Sequence, residues 1–151
     1  MKKILVLFLT IALTGFSNLR AQHTEGGVVG FSCSFVGKPS LSVMKMSKLA
    51  SKSQYDKIKR KLVKGSMAEK YLAVILCETL VKENRIVLTA IERKIIEDSY
   101  HSNVRVLICA GCTMFQTASI SELLNQTSIN YIGGNARTWA ERIVNTTKNL
   151  N

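Results

Sequence analysis

The chain has 151 residues, of which 46% are hydrophobic and 21% are charged. This length is sufficient for one domain with a single core. The formal net charge of +11 predicts attraction to anionic surfaces such as lipid headgroups, acidic polysaccharide or nucleic acid. Beyond the N-terminus the longest uninterrupted apolar run is residues 71–77. Because a membrane-spanning helix needs roughly 20 residues, this run excludes a transmembrane segment in the mature chain.

Residues 1–21 have the zones of a secretory signal peptide. Lys2 and Lys3 precede an uncharged, mostly apolar run over residues 4–15. Cleavage is expected after Ala21, with a site after Ser17 as the alternative. The mature protein is therefore predicted to be exported, either periplasmic or secreted. Removal of residues 1–21 takes away three basic residues and no acid, which lowers the net charge from +11 to +8.

Residues 22–38 are glycine-rich and lack a helical period. They are predicted to form an irregular N-terminal arm with a short extended piece over residues 28–35. Residues 39–151 are predicted to form a helical domain. Its first helix is expected to start near Ser40 or Ser42, just after the single proline, Pro39. The apolar stripe of this helix consists of Val43, Met46, Leu49 and Ala50.

Capping signals divide the domain into short helices. The Ser/Thr-x-x-Glu pattern of a capping box occurs at residues 66–69, 89–92 and 119–122. A further helix is expected to be capped by Ser53 and to end at Gly65 in the left-handed conformation. The helix that begins at Ser66 should extend to about Lys82. Its centre is apolar on every side, which is typical of a helix buried among others.

The C-terminal part is expected to end in a helix from about Ala136 to Lys148, with Trp139 and Ile143 turned inward. Residues 104–108 fit either a short buried strand or a helix; the neighbouring caps favour helix. Together these patterns predict an all-α fold, either a small helical bundle or a HEAT-like stack of short helices.

The four cysteines are Cys33, Cys77, Cys109 and Cys112. In an oxidising compartment an even number predicts disulfides, and the sequence does not rank the three complete pairings. Cys77 lies in the apolar helix and is expected to be a buried core residue. At least one disulfide should involve Cys109 or Cys112. These two either pair with each other, if a helix ends near Gly111, or one of them pairs with Cys33.

The Cys-x-x-Cys pattern of Cys109 and Cys112 also fits a thiol redox protein, in which such a pair starts a helix. The thioredoxin version needs a cis-proline, yet no proline follows Pro39. Thr113 stands where haem attachment requires histidine, and His23 and His101 lack a zinc-ligand spacing with the cysteines. No metal or cofactor is therefore predicted.

One run of basic residues is denser than the rest of the chain. It lies within a predicted helix and is formed by Lys57, Lys59, Arg60, Lys61 and Lys64. A solvated helix face and a binding surface for anionic envelope components are both compatible with it. The aromatic residues of a single-strand nucleic-acid binder are not interleaved with it.

The signal segment together with the run Cys109-Ala110-Gly111-Cys112-Thr113 resembles small exported proteins of Bacteroidota-type bacteria that have no assigned activity. The resemblance implies an envelope or extracellular location and no particular reaction. The leading hypothesis is a non-enzymatic exported interaction or structural protein, whose partner is an envelope protein or an anionic surface. A thiol redox protein and a binder of anionic envelope components are the alternatives.

Overall fold

The computed structural model describes residues 27–33, 35–111, 113–126 and 132–148. The predicted signal peptide and its cleavage sites lie outside these residues. The described strands are β1 (Val28–Val29), β2 (Arg105–Ala110) and β3 (Met114–Ser119). The helices follow in chain order: α1 (Leu41–Ser51), α2 (Tyr55–Lys64), α3 (Met67–Lys82), α4 (Ala90–Ser99), α5 (Ile120–Asn125) and α6 (Ile132–Lys148).

The all-α prediction was too narrow, because a three-stranded sheet in the order β1-β2-β3 accompanies the helices. The ambiguous residues 104–108 belong largely to β2, so the preference for helix there was wrong. The central strand pairs in parallel with β1 through Val29 and Ile108, and antiparallel with β3 through Val106 and Ala118. Val106 and Ile108 are each 1% exposed. The β-branched residues thus face the core from a strand that is paired on both edges.

Three helices begin at the predicted capping boxes. The hydroxyl of Ser66 accepts a hydrogen bond from the N–H of Glu69 at 3.2 Å, and the Glu69 carboxylate accepts one from the N–H of Ser66. Reciprocal pairs of the same kind begin α4 at Thr89 and α5 at Ser119. These contacts satisfy N–H groups that have no partner within the first turn of a helix.

Three predicted helix ends differ from the structure. Ser53 does not cap α2. It has a left-handed φ of 51°, and the N–H of Gln54 donates to Leu49 at the end of α1, which is a Schellman-type helix ending. Gly65 ends α2 with a φ of −85°, so it is extended and not left-handed. Helix α6 begins at Ile132, four residues before the predicted start.

Helix α3 lies at the centre of the domain. It packs against α1, α2, α4, α5, α6 and β2, which is the contact pattern of a bundle. In a linear stack, each helix pair would contact only its neighbours. The predicted burial of α3 is confirmed, since Leu72, Leu76 and Leu80 are each 0% exposed and Ile75 is 1% exposed. Within the described ranges, no helix combines the length and apolar character needed to cross a membrane.

Candidate functional site

Two of the candidate cysteines meet where the N-terminal arm joins the sheet. The sulfurs of Cys33 and Cys109 lie at disulfide distance, and their Cα atoms are 5.7 Å apart although the residues are 76 positions apart in the chain. The backbone of Cys33 also forms a bridge with Gly111. Cys112 lies outside the described residues. Among the pairings that the sequence left open, the observed contact is one that ties the arm to the helical domain.

The described residues on both sides of Cys112 lie at strand ends rather than at the start of a helix. Cys109 is in β2, and Gly111, with a φ of 69°, leads the chain toward Met114 at the start of β3. Reactive cysteine pairs use a helix N-terminus to stabilise the thiolate. None of residues 105–111 and 113–118 is helical, and Cys109 is 2% exposed. The geometry therefore offers no support for the redox hypothesis.

Cys77 is a buried free thiol, in agreement with its predicted place in the core. It is 0% exposed within α3. Burial raises the pKa of its thiol to about 12, because an apolar environment disfavours the thiolate. The protonated, enclosed sulfur is a small apolar core group and is not available as a nucleophile.

The five residues of the basic run divide into two groups. Lys59 and Lys61 are half-buried; Lys59 forms ion pairs with Asp56 at 3.4 Å and Glu92 at 3.7 Å. The other three, Lys57, Arg60 and Lys64, are exposed. They recur at spacings of three and four, so they lie along one side of α2. Two of the five predicted surface residues therefore form ion pairs within the domain, and the other three face solvent.

Glu69 connects the first three helices. Lys45 of α1 contacts one oxygen of the Glu69 carboxylate at 2.5 Å, and Lys61 of α2 contacts the other at 2.9 Å. Burial by itself would raise the pKa of Glu69, but the hydrogen bonds from Lys45, Lys61 and the Ser66 N–H outweigh it and lower that pKa. Because Lys45 and Lys61 meet at one carboxylate, the exposed sides of α1 and α2 adjoin each other.

Sequence reasoning missed the contribution of α1 to the charged surface. Residues 38–70 contain ten basic residues (Lys and Arg) and two acidic ones, whereas residues 71–148 contain eight basic residues and seven acidic ones. The available signal was the absence of any Asp or Glu over residues 26–55. Lys48 and Lys52 are exposed at the C-terminal end of α1, a helix that packs against α2. The α1–α2 basic face is defined here by five exposed residues: Lys48, Lys52, Lys57, Arg60 and Lys64.

A second polar cluster lines a groove of about 680 Å³ between α3, α4 and α6. Tyr100 donates a hydrogen bond to Glu78 at 2.7 Å, and Arg137 donates to Glu78, to the Tyr100 hydroxyl and to the Leu124 carbonyl. Burial, followed by the hydrogen bond to Glu78, raises the pKa of Tyr100. The phenol is thus held neutral. These groups bind one another and join four helices, and none is poised as a base or nucleophile.

No protein-family model matches the chain, and neither a curated protein nor a solved structure is significantly similar to it. Among the described residues, no three His, Cys, Asp or Glu side chains are grouped so that they could hold a metal ion.

Proposed function

We propose that this protein is exported and works as a non-enzymatic binding protein that attaches to anionic surfaces through the α1–α2 basic face. The observation that carries the proposal is the concentration of positive charge on two adjoining helices. The net charge is +8 over residues 38–70 and +1 over residues 71–148. A potential confined to one side of a molecule orients it toward an anionic partner.

Export is supported by two independent features. The N-terminal sequence has the zone order of a signal peptide, and the Cys33–Cys109 contact suits an oxidising compartment. A non-enzymatic role is supported by the polar chemistry of the described residues, since Glu78, Tyr100 and Arg137 bind one another and Cys77 is enclosed.

The proposal is tested by exchanging the exposed charges of α2. The triple variant Lys57→Gln, Arg60→Gln, Lys64→Gln removes three exposed charges, none of which is in an ion pair with another described residue. Each basic residue near an anionic membrane surface contributes about 1 kcal/mol, so the loss should weaken binding to phosphatidylglycerol vesicles roughly a hundredfold at low salt. Elution from immobilised heparin should likewise move to lower salt.

A matched control removes the same number of charges elsewhere. Lys82, Lys94 and Arg142 are exposed on α3, α4 and α6, so their change to Gln lowers the net charge equally. This control should bind almost as well as the unchanged protein. Equal losses in the two variants would mean that only the total charge matters. Binding that is insensitive to ionic strength would also refute the proposal, because interactions between exposed charges are screened by salt.

A further inference from the structure

A turn in the N-terminal arm exposes two large apolar side chains. Phe35 is 91% exposed and Val36 is 75% exposed. They lie in the turn over residues 35–37, which is closed by the backbone pairing of Cys33 with Lys38. Gly37 has a φ of 63°, a conformation that glycine adopts at no steric cost. Adjacent apolar residues exposed to this degree mark an interaction site more often than isolated ones do.

The first turns of α1, which follow the arm in the chain, also expose apolar side chains. Leu41 is 80% exposed and Met44 is 43% exposed. Their spacing from the exposed Lys45 and Lys48 follows the i, i+3, i+4, i+7 pattern, so all four residues lie on one side of the helix. That side therefore passes from apolar residues near the arm to lysines farther along α1.

The arm and α1 contribute only positive charge to this surface, and Glu69, whose carboxylate lies beside Lys45, is 7% exposed. Lys38 closes the turn, and Lys45, Lys48 and Lys52 follow in α1, while residues 26–55 contain no Asp or Glu. Exposed apolar side chains among lysines, with no exposed carboxylate from the arm or α1, are the pattern of a surface that lies in a membrane interface. The long lysine stems can keep their ammonium groups at the phosphates while the apolar groups enter the acyl boundary.

The exposed turn is attached firmly to the domain. The N–H of Cys33 donates to the Lys38 carbonyl at 2.7 Å. The Ser40 N–H donates to Gly30, and its hydroxyl donates to Val28 at 2.8 Å. The contact of Cys33 with Cys109 adds a link to β2. Because these contacts hold both ends of the turn on the domain, its entry into an interface needs little further ordering of the chain.

We propose that the anionic surface recognised by this protein is a lipid bilayer, into which the apolar tip formed by Phe35, Val36, Leu41 and Met44 inserts. This inference rests on the proposed function and specifies its partner. The lysines of α1 and the α1–α2 basic face bind the headgroup phosphates. The apolar tip enters the boundary between headgroups and acyl chains. A soluble polyanion offers the same negative charge without an apolar layer, so the exposed tip favours the bilayer.

The decisive measurement is co-sedimentation with phosphatidylcholine vesicles that contain or lack phosphatidylglycerol. The double variant Phe35→Ser, Val36→Ser should partition to the anionic vesicles at least about tenfold more weakly, because burying one apolar side chain of this size is favourable by roughly that factor or more. The matched control is Val87→Ser, Ile91→Ser, which removes side chains that are 85% and 74% exposed at the start of the α4 region. It should partition like the unchanged protein.

A second variant reports insertion directly. In Phe35→Trp the new indole should shift its emission to shorter wavelength when anionic vesicles are added. The unchanged protein, whose single tryptophan is the half-buried Trp139, should show no such shift. An unshifted emission in a folded, vesicle-bound Phe35→Trp protein would overturn the insertion of the tip.

The outcomes separate this inference from the proposed function. Heparin and vesicle binding that both survive the Phe35→Ser, Val36→Ser change would overturn tip insertion and leave the basic face as the binding surface. Binding to heparin without binding to vesicles would replace the bilayer by a soluble polyanion. No binding of the unchanged protein to either probe at low salt would overturn both proposals.

Discussion

The contact between Cys33 and Cys109 predicts that reduction of this protein has a large effect on its stability. The bond would join two residues that are 76 positions apart, so it closes a loop that includes the first four helices. It also holds β1 against β2, where Val29 is 0% exposed. We therefore expect Cys33→Ala and chemical reduction to destabilise the oxidised protein to a similar extent.

The magnitude follows from the length of the closed loop. For a loop of this size, the chain-entropy relation gives about 4–5 kcal/mol of stabilisation through the unfolded state. For a domain of intermediate size, this corresponds to a fall in melting temperature of roughly 10–20 °C. A bond between Cys109 and Cys112 encloses only two residues, so its reduction should change the melting temperature far less.

Thermal unfolding followed by circular dichroism, with and without dithiothreitol, measures the effect. The unchanged protein should lose stability on reduction, and Cys33→Ala should already be destabilised and insensitive to the reductant. Cys112→Ala is the matched control and should behave like the unchanged protein. Equal melting temperatures before and after reduction would refute the reasoning. So would a non-reducing peptide map that joins Cys109 to Cys112.

Three further predictions concern the core, a buried charge and the N-terminus. Leu76→Ala should lower the free energy of unfolding, measured in urea, by about 2–5 kcal/mol. A loss below about 0.5 kcal/mol would contradict the central burial of Leu76. Folding lowers the pKa of Glu69 from its usual 4.5. The Glu69 charge therefore stabilises the fold above pH 4.5, and this stabilisation is lost as the pH falls further. In acid titrations, Glu69→Gln should make the free energy of unfolding less dependent on pH. Protein recovered from its native compartment should begin at Gln22 or Asn18 by mass spectrometry, and not at Met1.

The sequence by itself determined the features that depend on neighbouring residues. Capping boxes join groups three positions apart, so the starts of α3, α4 and α5 could be predicted from Ser66, Thr89 and Ser119. The uniformly apolar centre of α3 likewise identified the buried helix, including Leu76 and Cys77. These predictions succeeded because the relevant partners lie within one or two helical turns.

Only the tertiary structure decided the sheet and the arrangement of the candidate surface. Strand β2 pairs along its length with the neighbouring β3, and Val28 and Val29 pair with Leu107 and Ile108 from far away in the chain. A local pattern of valines cannot identify this distant partner. Cys33 and Cys109 are also far apart in the chain, so the sequence could not identify Cys33 as the partner of Cys109.

The sequence identified the basic residues of α2, but it did not show which of them form ion pairs within the domain and which face solvent. Lys61 turns inward because its ammonium group pairs with the Glu69 carboxylate of the next helix, whereas Lys57 and Lys64 remain in solvent. Burial depends on which helix packs behind each side chain, and that is a property of the whole fold. For the same reason, the sequence could not show that Phe35 and Leu41 are exposed. Apolar side chains are usually buried, and only the packing of the whole fold shows which of them remain in solvent.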